Sequence, residues 1–298
     1  MNKFIKRRKR VEKVIKLLLQ FSTVVTVFTT VAIISILGIE AFKFFKEVSI
    51  FNFIFDTEWT PLFDNKKYGI GTLLSGTILT TLIAITIALP IGLSIAIYLN
   101  EYANKRFRNI VKPLLELLAA VPSVVYGFFA LMVVTPFLQS FIPHLSGFNS
   151  LSAGIVMGIM IIPFVTSLSE DALSSVPNSL REASYGMGST RFQTVFRVTL
   201  PAASSGVIVA VILAISRAIG ETMIVAIAAG QQPRLTMNPL VPVETITAYI
   251  VQVSMGDVPH NSLEYRTIFA AGITLFVFTF ILNNLSFWLR KKYREKYD

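Results

Sequence analysis

Residues 117–169 read LLAAVPSVVYGFFALMVVTPFLQSFIPHLSGFNSLSAGIVMGIMIIPFVTSLS, 53 consecutive positions without Asp, Glu, Lys or Arg. A helix needs about 20 mainly apolar residues to cross the hydrocarbon core of a bilayer. The run is too long for one crossing and suits two, with Pro136, Pro143, Gly147, Asn149 and Ser150 supplying the turn between them. Working outward, 17–39, 68–100 and 267–289 are also free of charge, and 202–230 is interrupted only by Arg217 and Glu221. Six spans follow, at roughly 17–39, 70–99, 114–137, 151–170, 203–230 and 267–289. The expectation is an all-α membrane protein with six transmembrane helices, the whole of 1–298 forming a single transmembrane domain.

Composition agrees. The chain is 53% hydrophobic and only 15% charged, where soluble domains carry about 25% charge. With no cysteine, disulfides, thiolate zinc sites and iron–sulfur clusters are excluded. The net charge of +10 raises the question of nucleic acid, but the charges sit beside the apolar runs, where they orient a membrane protein, and no nucleic-acid partner is expected. Twenty Lys and Arg lie in the N-terminal tail, 105–112, 181–197 and the C-terminal tail. The intervening connections hold six: Lys43, Lys46, Lys66, Lys67, Arg234 and Arg266. Basic residues favour the cytoplasmic side, so both termini are expected in the cytoplasm and the chain in the cell (inner) membrane as a multi-pass protein. The 23 uncharged residues after the basic start exceed the apolar region of a signal peptide, about 7–15 residues, so the first helix is expected to stay.

The segment after the fourth span is the most ordered of the connections. Pro177 suits a helix start, with Asn178 or Ser179 able to cap the first amides. Leu180, Ala183, Ser184 and Met187 then share a face at helical spacing. Gly186 and Gly188 end that helix, and Thr190 with Gln193 makes a capping box opening a second one. From the residues alone, this hairpin rests on lipid headgroups or docks a protein.

Glu182-Ala183-Ser184, three residues, Gly188, nine residues, then Val198-Thr-Leu200-Pro201 resembles the EAA motif of ABC importer permeases of the MetI-like fold. The spacing is kept over 20 residues. Ser184 replaces the motif's second Ala, and Val198 its Ile. The resemblance implies that 177–200 is the segment seated on a cytoplasmic ATPase, with Glu182, Ala183, Ser184, Gly188, Leu200 and Pro201 carrying the contact. The chain has no Gly-Lys pair and so no phosphate loop. ATP is expected on a partner subunit, with no cofactor, metal or catalytic residue on this chain.

Arg217 and Glu221 lie four apart, on one face of an unbroken helix. Each costs about 2.5–3.5 kcal/mol at a bilayer centre on insertion scales, so they need each other, a partner or a watery path. One reading is a structural ion pair. The other is a pathway for an anion, which Arg217 would grip with its planar donors while Glu221 holds it in place. Ser216-Arg-Ala-Ile-Gly-Glu-Thr-Met223 resembles the fifth span of phosphate importer permeases of the Pst type. Ala119–Gly127 and Tyr68–Thr77, after Thr57-Glu-Trp-Thr-Pro61, do likewise. Met223 favours the PstC type over the PstA type. The resemblance implies phosphate import by a heterodimer with a PstA-like permease, driven by a PstB-like ATPase dimer and fed by a PstS-like extracytoplasmic binding protein. The rivals are another oxyanion (molybdate, tungstate or phosphonate), the PstA-like half, and a secondary transporter in which the pair relays protons.

Ser123 and Tyr126 are further pathway candidates, set against the plain reading that Pro122, Ser123 and Gly127 merely bend a helix. The Thr-rich second span reads as helix packing, and Asn283 and Asn284 as interhelical hydrogen bonders. Trp59 and Phe51, Phe53, Phe55 and Phe63 suit the headgroup zone.

Overall fold

The computed structural model describes the backbone of residues 2–260 and 262–293 and the side chains of 11–260 and 262–289. The basic side chains at 3–10 and 290–296 that weigh on the expected orientation lie outside the described residues. Among the described residues, four unbroken helices are long and apolar enough to cross a membrane: α1 (Asn2–Glu47), α3 (Gly71–Tyr102), α6 (Ser150–Ser174) and α11 (Leu263–Tyr293). A short α2 (Ile50–Phe55) follows α1. Two further apolar helix pairs are sharply bent, and each counts as a span if the pair crosses as one. α4 (Lys105–Ala119) meets α5 (Ser123–Gln139) at 83°, and α8 (Arg191–Ala202) meets α9 (Ser204–Ile219) at 71°. α7 (Asn178–Gly186) and α10 (Ile246–Met255) complete the set.

Two expected spans need correction. The third is not one helix over 114–137. Pro122 has no amide hydrogen and disfavours helix at the residue before it; it stands extended (φ −58°, ψ 134°) as the cap of α5. The fifth is not continuous over 203–230. α9 ends at Ile219, residues 221–222 are non-helical, and a separate stub spans 223–229.

The bundle is closed by small residues. On α6, Gly154 and Gly158 stand one turn apart, the spacing that lets membrane helices approach closely. A methyl on Gly154 would sit 2.6 Å from the Ile83 Cβ, one on Gly158 2.8 Å from the Ala84 carbonyl, and one on Gly92 2.8 Å from the Val165 Cβ. Gly158→Leu is therefore expected to cost at least about 1–3 kcal/mol of overpacking and to abolish the monodisperse gel-filtration peak of the solubilised protein. Gly38→Leu, where nothing lies within 4 Å, should keep that peak. Equal behaviour of the two variants would disprove the close seam.

Buried Thr72, Thr77, Thr80 and Thr81 pack α3 as expected, while Thr86 faces outward. Asn283 accepts from the Ser216 hydroxyl at 3.3 Å between helices, but Asn284 donates to Phe280 in its own helix. Trp59 is not a headgroup residue. It is 1% exposed, packed edge-on against Tyr249 and Phe53 in an aromatic cluster with Phe44 and Tyr68. Phe53 is buried with it, whereas Phe51, Phe55 and Phe63 are exposed.

Candidate translocation and coupling sites

At one end of the bundle, α7 and α8 form the expected hairpin. Pro177 itself occupies the cap position, and Asn178 instead accepts from Arg181 at 3.3 Å. Gly188 takes φ +82° in the turn, a conformation L-residues rarely adopt. Thr190 and Gln193 close both bonds of the capping box. Ser184 bonds Thr194 across the hairpin at 2.9 Å. Leu180 and Leu200 pack onto Ala96, Leu173, Val176 and Ala203, fixing the hairpin to α3, α6 and α9. Glu182, Ala183, Tyr185, Phe192, Phe196 and Pro201 face outward. Met187, expected beside Leu180, is 88% exposed, because the helix ends at Gly186 and its spacing no longer applies.

Arg181, counted in the sequence only as a basic charge, is the anchor of this hairpin. Its guanidinium bonds Glu101 (3.1 Å), Asn100 (3.2 Å) and the carbonyls of Leu173 (2.8 Å) and Val176 (2.7 Å). A planar five-donor group suits such a set. It ties α7 to the ends of α3 and α6.

Arg217 and Glu221 do not pair. The helix break at Gly220 removes the shared face that an ion pair would need. Glu221 accepts from the amides of Met223 (3.2 Å) and Ile224 (3.4 Å), capping the 223–229 stub. Its carbonyl accepts from Thr247 at 2.7 Å. Arg217 forms no ion pair among the described residues; its guanidinium lies 5.3 Å from the centre of the Phe164 ring. It borders a cavity of about 200 Å³ between α4, α6 and α9, with Lys112, Glu116, Ser167 and Glu170. Ser123, Tyr126 and Glu221 do not line that cavity. Tyr126 donates to the Leu118 carbonyl at 2.9 Å, strutting the α4–α5 bend. Gly127 lets α5 approach the stub, since a methyl there would meet Ile227 at 2.9 Å.

At the opposite end, the 231–245 connection carries Glu244, 1% exposed and with an oxygen that has no hydrogen-bond partner among the described residues. Burial pushes its carboxyl up to about 8. The folded chain thus keeps a proton that the unfolded chain releases near 4.5. The associated stability is present below about 4.5 and is lost as pH rises towards 8. Glu244→Gln should match the parent's unfolding free energy at about pH 5 and exceed it at about pH 8, by a few kcal/mol at most. A difference that does not change with pH would refute this.

The chain belongs to the family of binding-protein-dependent transport system inner membrane components, whose model matches residues 88–295. It is a membrane permease subunit of an ABC importer, not an enzyme; members of this family act with separate ATPase subunits and substrate-binding proteins. It is 35% identical to the phosphate transport system permease protein PstC of Xylella fastidiosa (strain 9a5c) over 77% of this chain and 75% of that one. A probable ABC transporter permease protein YqgH of Bacillus subtilis (strain 168) is 34% identical over 78% of this chain and 75% of its own length. Among solved structures, a bacterial alginate ABC transporter in complex with alginate pentasaccharide-bound periplasmic protein shares the fold. Its TM-score is 0.63 at 19% identity, covering 94% of this chain and 96% of that one. The MetNI methionine transporter in an inward-facing form gives 0.55 at 18% identity, over 76% and 95%.

Proposed function

We propose that the chain, 1–298 as one transmembrane domain with both termini cytoplasmic, is half of the translocation path of an ATP-driven phosphate importer. Its partners would be a PstA-like permease, a PstB-like ATPase dimer binding ATP, and a PstS-like phosphate-binding protein delivering cargo outside. The observation that carries the phosphate reading is Arg217, an exposed cation on the wall of the cavity between α4, α6 and α9 that forms no ion pair among the described residues. An arginine in the membrane interior is costly, and a transient anion is what would make use of it. Similarity to PstC proteins supports the choice of anion. The outward residues Glu182, Ala183 and Met187 of the hairpin would meet the ATPase, while Ser184, Gly188 and Leu200 hold its shape. Glu221 shapes the path by capping the stub, and Ser123 and Tyr126 by setting the α4–α5 bend. The other reading is the same machine carrying molybdate, tungstate or phosphonate. A binding assay on the associated solute-binding protein separates the two: retention of phosphate is expected, and retention of another oxyanion with phosphate rejected would overturn the cargo.

A further inference from the structure

On α6, Glu170 is 1% exposed and is held by two cations of α4, Arg108 and Lys112, the latter at 2.7 Å. A single guanidinium can serve both oxygens of a carboxylate through its bidentate fork. Asp171, 3.5 Å from Lys112, has a side chain that is 63% exposed. The two cations differ in where they reach: Lys112 lines the Arg217 cavity, and Arg108 does not. Glu116 is the other acid on the cavity wall. The cavity wall thus carries Lys112 and Arg217 against Glu116 and Glu170, while Arg108 pairs with Glu170 from outside the lining. Thr166 and Ser167 lie on the same wall. Thr166 donates to the Gly92 carbonyl at 3.2 Å, which leaves the Ser167 hydroxyl as the donor available to a ligand. At about 30 Å³ per water, the cavity's 200 Å³ admits a tetrahedral anion with part of its hydration.

Resting on the transport reading above, we propose that this cavity is a holding site for a tetrahedral oxyanion, in which Arg217 and Lys112 are the two cations and Ser167 a hydroxyl donor. Lys112 moves from Glu170 to the anion, and Arg108 stays behind to neutralise Glu170. Lysine suits the exchange because its ammonium turns on a flexible stem, whereas a guanidinium fork is geometrically committed. Glu170 is then held to α4 by two ion pairs when the site is empty and by one when it is filled. Occupancy thereby loosens the helix that closes the cavity.

The test uses the whole complex in proteoliposomes, with labelled phosphate and labelled molybdate as probes and gel filtration as the check on assembly. Lys112→Gln is expected to lower uptake about tenfold or more with the complex intact. Glu170→Gln, which frees Lys112 rather than removing it, should retain clearly more uptake than Lys112→Gln. Arg108→Gln should impair uptake by pinning Lys112 to Glu170, and adding Glu170→Gln should restore it. If Glu170→Gln falls as far as Lys112→Gln, or Lys112→Gln does not assemble, the cluster is only a tether between α4 and α6 and the proposal fails. It also fails if Lys112→Gln transports like the parent. A parent that takes up molybdate and refuses phosphate refutes the phosphate reading alone, because the Lys112 comparison is then decided with molybdate.

Discussion

Arg217→Gln is expected to abolish uptake while leaving the complex assembled. Hydrogen bonds to a charged group contribute about 1.5–3 kcal/mol each, so losing a two-donor grip on an anion, about 3–6 kcal/mol, lowers transport by roughly 100-fold or more. Assembly should survive because of the break at Gly220. Were Arg217 paired with Glu221, removing one partner would strand a buried charge at about 3–5 kcal/mol. Glu221 is instead satisfied by the amides of Met223 and Ile224, so no such cost arises. Labelled-anion uptake in proteoliposomes and gel filtration of the same preparation read the two quantities separately. A complex that falls apart would restore the structural role for Arg217 and remove it from the path.

The second large effect belongs to the hairpin. Gly188→Leu forces a side chain into φ +82°, which costs about 1–2 kcal/mol for an L-residue. No neighbour lies within 4 Å of its Cβ position, so the damage is to the turn and not to packing. The turn sets how α7 and α8 present their outward faces, and the ATPase is expected to detach. Glu182→Lys should detach it by reversing a charge on the outward face without moving the backbone. In both variants Arg217 and its cavity are untouched, so anion competition in any residual uptake should be unchanged. Co-purification of the ATPase with the tagged permease is the measurement; full retention by both variants would place the contact elsewhere.

Much of this was legible in the sequence, for a physical reason. A lipid solvent demands long apolar runs, and such runs locate long apolar helices well: 17–39, 151–170 and 267–289 fall within α1, α6 and α11. Turn chemistry is equally local, which is why the Thr190–Gln193 capping box and the turn at Gly188 stood out. The breaks were less visible because hydrophobicity continues through them. The apolar pattern of 114–137 hides the 83° turn, although Pro122 marked its place. Arg217 and Glu221 look paired only if the helix between them is unbroken; Gly220 and Thr222 were the signals against that. Partners distant in sequence left no local trace. Nothing near Glu170 announces Arg108 and Lys112, and nothing near Arg181 announces Glu101. Trp59 was read for its amphipathic ring, and only the tertiary contact with Tyr249 and Phe53 puts it inside.

Labelled phosphate uptake into proteoliposomes holding the complete complex, with ATP enclosed or omitted and the ATPase present or absent, tests the transport account most directly. Accumulation that requires ATP, the ATPase and the binding protein together, and that Arg217→Gln removes, is the predicted result. Uptake that proceeds without the ATPase, or ATP-driven accumulation that excludes phosphate, would contradict it.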